Sequence, residues 1–167
     1  MTTATQLEKP LGEILSDRTP TLGRLLFFLG LIISAYDNAV LQKTELDIWG
    51  VRILGFALLI SGVSLYFISR FKLGKFFSEA IRIKPEHRLI TSGVYRYIRH
   101  PIYLGEILYF LSIPMIFISA YGFIIMLVSV PMLINRIGFE EKALFSEFGQ
   151  AYTEYARRTK RLIPFIY

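Results

Sequence analysis

Three apolar runs decide what this chain can fold into. Leu22 to Tyr36 carries one charged residue, Arg24, and Ile48 to Ser69 carries one, Arg52. Ile102 to Ile134 is 33 residues long with a single charge, Glu106. A helix needs about 20 predominantly apolar residues to cross a bilayer. The third run is too long for one such helix and short for two. Ala120-Tyr121-Gly122 near its middle offers a turn, so the expectation is a tight helical hairpin over 102–134 whose short arms tilt or stop short of a full crossing. The predicted fold class is all-α and integral to the membrane, with about four transmembrane helices. A hydrophobic fraction of 53% and a mean hydropathy of +0.47 exceed what an ordinary soluble domain carries. The length suits one domain over 1–167. Within it, 1–21 reads as a cytoplasmic N-terminal segment, 22–69 as two transmembrane helices and 70–167 as the functional core.

The basic residues predict an orientation. With both termini cytoplasmic, 17 of the 19 lysines and arginines face the cytoplasm and two, Lys43 and Arg52, face out. That asymmetry explains the net charge of +6 without a nucleic-acid partner, and no helix-turn-helix, zinc or RNA-recognition pattern is present. Met1 to Pro20 is polar and contains acids, unlike a signal peptide. Leu7, Leu11, Ile14 and Leu15 have the spacing of a short interfacial helix, with a frayed tail as the equal alternative. The chain has no cysteine, which excludes disulfides, thiolate ligands and a cysteine nucleophile.

Polar chemistry concentrates between the apolar runs. Residues 87 to 103 hold both histidines, His87 and His100, together with Arg88, Arg96, Arg99 and three tyrosines. Basic residues alone would set topology, but histidines, glycine, proline and tyrosines are not needed for that. Ionisable groups near hydrocarbon are costly and mark function. Ser92 and Gly93 suit a turn and helix start. Pro101 suits the first position of the next helix, with His100 near its N-cap. The positive end of that helix dipole faces the loop and can receive anionic or polar ligand groups. Tyr103 and Glu106 follow at one-turn steps; an ion pair with a nearby arginine is the plainer reading of Glu106.

A second constellation follows the hairpin. Arg136 and Glu140 are four apart and share a helix face, with Glu141 beside them. A surface ion pair is the plainer reading, but both emerge from the membrane on the side of the polar loop. Gly149 is a good helix terminator, Tyr152 and Tyr155 lie on one side of the next segment, and Leu162 to Tyr167 is apolar again. No G-x-G-x-x-G, P-loop or Ser-His-Asp set is present. Two histidines thirteen apart do not make a metal site.

The order His87-x-Leu89-Ile90, Gly93-x-Tyr95, Arg99-His100-Pro101-x-Tyr103-x-Gly105, an apolar hairpin, then Arg136-x-x-x-Glu140-Glu141 resembles the isoprenylcysteine carboxyl methyltransferase family. So does the ending Phe148-Gly149-x-x-Tyr152-x-x-Tyr155 with Ile163-Pro164-Phe165-Ile166. The resemblance covers about residues 70 to 167. It implies S-adenosylmethionine as methyl donor, bound without a Rossmann domain by His87, Arg88, Leu89, Ile90, Tyr95, His100, Pro101, Ile102, Tyr103 and Glu140. It implies Arg136 and Arg99 as catalytic residues, with Arg136, Glu106 and Glu141 toward the acceptor, a lipid-like or prenylated carboxylate. The family's donor is a sulfonium cation with a carboxylate and an adenine, which aromatic rings and a helix N-terminus suit. A carboxylate acceptor is ionised at pH 7 and needs no base, so alignment and exclusion of water carry the catalysis. Methylation of a phospholipid amine or small thiol is the nearest alternative. An NADPH-dependent sterol-type reductase and a non-catalytic lipid-binding module are alternatives of other classes.

Overall fold

The computed structural model describes residues 19–41, 48–78 and 88–164. Helix α1 (Thr19–Tyr36) widens into a π-helical turn (Asp37–Leu41). Helix α2 (Trp49–Leu73) ends at Gly74, whose φ of 53° suits glycine, and runs into a 3-10 turn (Gly74–Phe76). A second 3-10 turn (Gly93–Arg96) precedes α3 (Pro101–Phe117), α4 (Ala120–Phe148) and a short α5 (Gln150–Arg158). The fold is an all-α membrane fold. Thr21–Val40, Trp49–Phe76 and Ala120–Phe148 are long and apolar enough to cross a membrane, and α3 is a shorter apolar helix of 17 residues.

The long apolar run is a hairpin, but its turn and arms differ from the expectation over 102–134. The chain reverses at Ile118 and Ser119, with Ile118 left-handed at φ 52°. Ser119 caps α4 by accepting a hydrogen bond from the Gly122 backbone N–H at 3.0 Å. Ala120, Tyr121 and Gly122 are helical. Gly122 is a contact rather than a break: a Cβ there would lie 1.9 Å from Ser34 Oγ of α1. The second arm runs through Pro131, passes Ile134 and continues to Phe148 as one helix of 29 residues. At 1.5 Å per residue α4 is about 43 Å long and α3 about 25 Å, against a hydrocarbon core of about 30 Å. One arm falls short and the other overshoots.

Small residues let the helices touch, as membrane interfaces require. At Gly62 of α2 a Cβ would meet Tyr109 N at 2.7 Å and Gly105 O at 2.8 Å, and Gly105 of α3 is equally hemmed in by Gly62 O and Tyr66 N. Gly55 packs on Met115 and Ile116 in the same way. On the other side Gly30 of α1 sits under Met126 of α4. The buried hydroxyls of Ser34, Ser69, Ser112 and Ser129 return to carbonyls of their own helices, so none is left unsatisfied among the apolar groups. At the hairpin-turn end, Asn38 Nδ2 donates to Phe117 O at 3.0 Å and Arg52 Nη1 to Ile116 O at 3.3 Å. Ser119 Oγ donates to the buried Asp37 carboxylate at 2.7 Å. Asp37, distant from the polar loop in sequence, therefore serves the opposite end of the bundle.

Candidate active site

The hairpin register builds the site. Tyr103 on α3 and Arg136 on α4 lie at nearly equal distances along the chain from the turn at Ile118–Ser119, as do His100 and the Glu140–Glu141 pair. Folding the hairpin therefore brings the polar loop level with the polar end of α4. Arg136 Nε donates to the Tyr103 hydroxyl at 2.9 Å, and that hydroxyl also interacts with Glu140. Arg136 is only 6% exposed, so it is not a surface group. A guanidinium held this far out of water makes strong charge-assisted bonds to anionic groups.

His100 occupies the N-cap of α3 and Pro101 its first position. The imidazole is buried between the two acids: Nδ1 lies 3.8 Å from Glu140 Oε2, and Nε2 lies 3.4 Å from Glu141 Oε1. Its ring is tilted over Tyr103, centroid to centroid 5.7 Å. Glu140 and Glu141 are neighbours in sequence but about 100° apart around the helix, and they meet different surroundings. The Glu140 side chain is 33% exposed and faces His100 and Tyr103. Glu141 is enclosed. Arg99 Nε donates to its Oε1 at 2.8 Å, and Arg161 donates to its Oε2 through Nε at 2.8 Å and Nη2 at 2.7 Å.

The C-terminal tail straps this cluster down. Ile98 and Lys160 form an isolated parallel β-bridge. Arg99 N donates to Lys160 O at 2.7 Å, His100 N to Arg161 O at 3.0 Å and Lys160 N to Tyr97 O at 3.3 Å. Arg99 Nη1 reaches Ala156 O at 3.0 Å and also Thr159 O. Tyr155 donates its hydroxyl to Tyr95 O at 2.7 Å, and Tyr95 reaches back to Ser69 O of α2 at 3.4 Å. Burial, with the Glu140 charge behind it, pushes the Tyr95 phenol well above its usual range, so it stays protonated.

Of the predicted site residues, the structure brings Tyr95, Arg99, His100, Pro101, Tyr103, Arg136, Glu140 and Glu141 together at one end of the bundle. Leu89 and Ile90 are half-buried in the approach to the Gly93–Arg96 turn, and Arg88 is exposed. Ile102 is half-buried at the start of α3. His87 lies outside the described residues. Glu106 is half-buried further along α3, near Tyr109. Arg99 and Glu141, expected as catalytic and acceptor-facing, are bound to each other and to the tail. Arg161, Thr159 and Tyr155 complete that arrangement and were missed. Arg161 and Thr159 sit in a tail whose basic residues read only as topology signals, while Tyr155 was marked as part of a pattern without a partner.

The residues matched by a family model decide what this cluster belongs to. Residues 53–146 match the model of the isoprenylcysteine carboxyl methyltransferase family, from within α2 to within α4. The chain belongs to the isoprenylcysteine carboxyl methyltransferase family. It is similar to protein-S-isoprenylcysteine O-methyltransferase B of Arabidopsis thaliana, 32% identical over 123 residues, covering 71% of this chain and 61% of the relative. It is also similar to the methanethiol S-methyltransferase of Crocosphaera subtropica, 28% identical over 142 residues, covering 83% of this chain and 53% of the relative. Among solved structures it resembles the eukaryotic intramembrane Ras methyltransferase ICMT, with a TM-score of 0.70 and 27% identity over 90% of this chain and 54% of that one. The chain thus spans between half and two thirds of these relatives. Within the isoprenylcysteine methyltransferase frame, the matched segment contains Tyr95, Arg99, His100, Tyr103, Arg136, Glu140 and Glu141. The strap from Gln150 onward lies outside it.

Proposed function

We propose that this protein transfers a methyl group from S-adenosylmethionine to a lipid-like acceptor at the membrane surface, by carboxyl O-methylation of an isoprenylcysteine-type substrate. The observation that carries this reading is the buried Arg136, fixed by Tyr103 on the helix face that also presents Glu140. S-adenosylmethionine supplies an electrophilic methyl on a sulfonium centre. The residues present suit it. Glu140 is the acid of the pair that the arginine clamp does not enclose, and it can accept bonds from an ammonium or ribose hydroxyls. The first turn of α3 offers a dipole end for a carboxylate, and Tyr95 and Tyr103 offer aromatic faces for a cation. Arg136 would hold the acceptor carboxylate by charge-assisted hydrogen bonds. No base is required, because that carboxylate is already ionised. Arg99 and Glu141 act as positioning residues that fix His100 and the tail around the donor.

The test is calorimetric titration of purified protein with S-adenosylmethionine and with NADPH, followed by transfer of labelled methyl groups. A farnesylated cysteine analogue, phosphatidylethanolamine and methanethiol are the acceptors. Binding of S-adenosylmethionine alone, with methylation of the farnesylated cysteine, is expected. Glu140→Ala should weaken donor binding by about 1.5–3 kcal/mol, the range for hydrogen bonds to charged groups. Binding of NADPH instead would support a reductase. Transfer only to the amine lipid would contradict the role given to Arg136.

A further inference from the structure

Cations gather without counter-charges where α2 leaves the apolar layer. The apolar segment Trp49–Phe76 ends in Arg70, Lys72 and Lys75. Arg70 and Lys75 lie over the rings of Phe77 and Phe76. Lys72 instead lays its aliphatic stem against the Gly93–Arg96 turn: a Cβ added to Gly93 would lie 3.4 Å from Lys72 Cε. In a 3-10 turn residues three apart eclipse, so Arg96 stands on the Gly93 side, toward Lys72. Both Lys72 and Arg96 are exposed. Among the described residues neither forms an ion pair, and 48–78 and 88–105 contain no aspartate or glutamate. Residues 79–87 hold two acids and two lysine or arginine residues, so the local balance stays basic. On the apolar side of these cations, Phe67 and Phe71 of α2 stack at 6.2 Å and are 50% and 78% exposed.

We propose that the end of α2 and the Gly93–Arg96 turn form a binding surface for an acidic phospholipid, its phosphate taken by Lys72 and Arg96 and an acyl chain laid along Phe67 and Phe71. A helix that ends at the bilayer surface meets headgroups of some kind; the structure adds a choice among them. A zwitterionic headgroup brings its own cation, which the two protein cations repel. An acidic headgroup brings none, and each basic residue near the surface favours it about fivefold. Topology needs only that basic residues stay on one side of the membrane. It does not need two of them, from separate elements, drawn together by packing of Lys72 on Gly93. The occupant is a lipid rather than a free phosphate because the exposed aromatic pair continues from the cations into the apolar layer. The proposal is independent of the methyl-transfer reading and uses none of the residues that reading assigns.

The test is thermal unfolding of the purified protein in a neutral detergent at low salt, titrated with phosphatidylglycerol, phosphatidylcholine or glycerol 3-phosphate. Phosphatidylglycerol should raise the unfolding temperature above that reached with phosphatidylcholine. Glycerol 3-phosphate at the same concentration should leave it unchanged. In Lys72→Gln/Arg96→Gln, half of the phosphatidylglycerol effect should require at least about fivefold more lipid. Each single substitution should show part of that shift, so the comparison survives if the double variant does not fold. Arg157→Gln/Arg158→Gln removes two exposed charges from α5 and should titrate as wild type. Equal responses of the wild type to phosphatidylglycerol and phosphatidylcholine overturn the proposal without any variant. So does equal weakening in the two double variants, which would assign the effect to net charge. A response to glycerol 3-phosphate as large as that to phosphatidylglycerol overturns the choice of a lipid.

Discussion

Arg99, His100 and Arg161 converge on the Glu141 carboxylate from three directions. The Arg99 side chain is 10% exposed, so removing its partner leaves a cation with little access to water. Breaking a buried pair in this way costs about 3–5 kcal/mol, reduced here because Arg161 is partly exposed and its bond is screened. Glu141→Gln is therefore expected to lower unfolding stability by about 2 kcal/mol, measured by thermal unfolding in detergent. Donor affinity should fall as well, because His100 loses the group that fixes its ring. Stability equal to wild type would show that the cluster is not a clamp. At this scale the sequence marked residues that the fold gathers at one end of the bundle, but not how they pair. Two adjacent glutamates read as one acidic pair; only the helix rotation sends Glu140 toward His100 and Tyr103 and Glu141 toward the arginines. Tyr152 and Tyr155 are likewise equivalent by spacing, and only the packing sends one hydroxyl to Tyr95 O and the other toward Glu141.

Among the elements, the α3–α4 hairpin carries the most consequence, because its register alone puts Tyr103 beside Arg136. The sequence made the hairpin legible through one long apolar run. It misplaced the turn because glycine signals a break in soluble chains but close approach in membrane helices. Gly122 is such a contact, and the reversal is made by Ile118 in an unfavourable left-handed conformation, which no local pattern announces. Pro101 at the start of α3 and Gly149 after the end of α4 follow the usual asymmetry and are readable in the sequence. Gly105, in the Arg-His-Pro-x-Tyr-x-Gly segment, lets α3 lie against Gly62 and Tyr66 of α2. Gly62→Leu and Gly105→Leu should each push these backbones apart and destabilise by more than about 2 kcal/mol. The effect should appear as a lowered unfolding temperature in detergent. Gly138, where an added Cβ meets nothing within 4 Å, should accept alanine with little change in stability.

For the whole molecule, one end of the bundle holds the candidate site and the other holds the Asp37–Ser119 contact. The four-span reading of the sequence assigns 17 basic residues to one side and two to the other, so we propose that the site and both termini face the cytoplasm. The absence of cysteine makes a direct check possible. Cysteines placed at the exposed positions Ser92 and Ala120 should react with an impermeant reagent from opposite sides of a sealed vesicle. Reaction of both from one side would contradict the topology. With that orientation, we propose that a methyl donor would enter from the water and a lipid acceptor from the bilayer toward Arg136. The central claim is this separation of two ligands along α4. It is tested most directly by Arg136→Ala, measuring S-adenosylmethionine affinity by calorimetry and labelled methyl transfer to a farnesylated cysteine analogue on the same preparation. The account expects donor affinity within about threefold of wild type and transfer reduced at least about a hundredfold, the scale of losing a charge-assisted contact to the acceptor. Arg136→Lys should recover only part of it, since it keeps the charge without the planar fork. Equal loss of donor binding and transfer in Arg136→Ala would contradict the account.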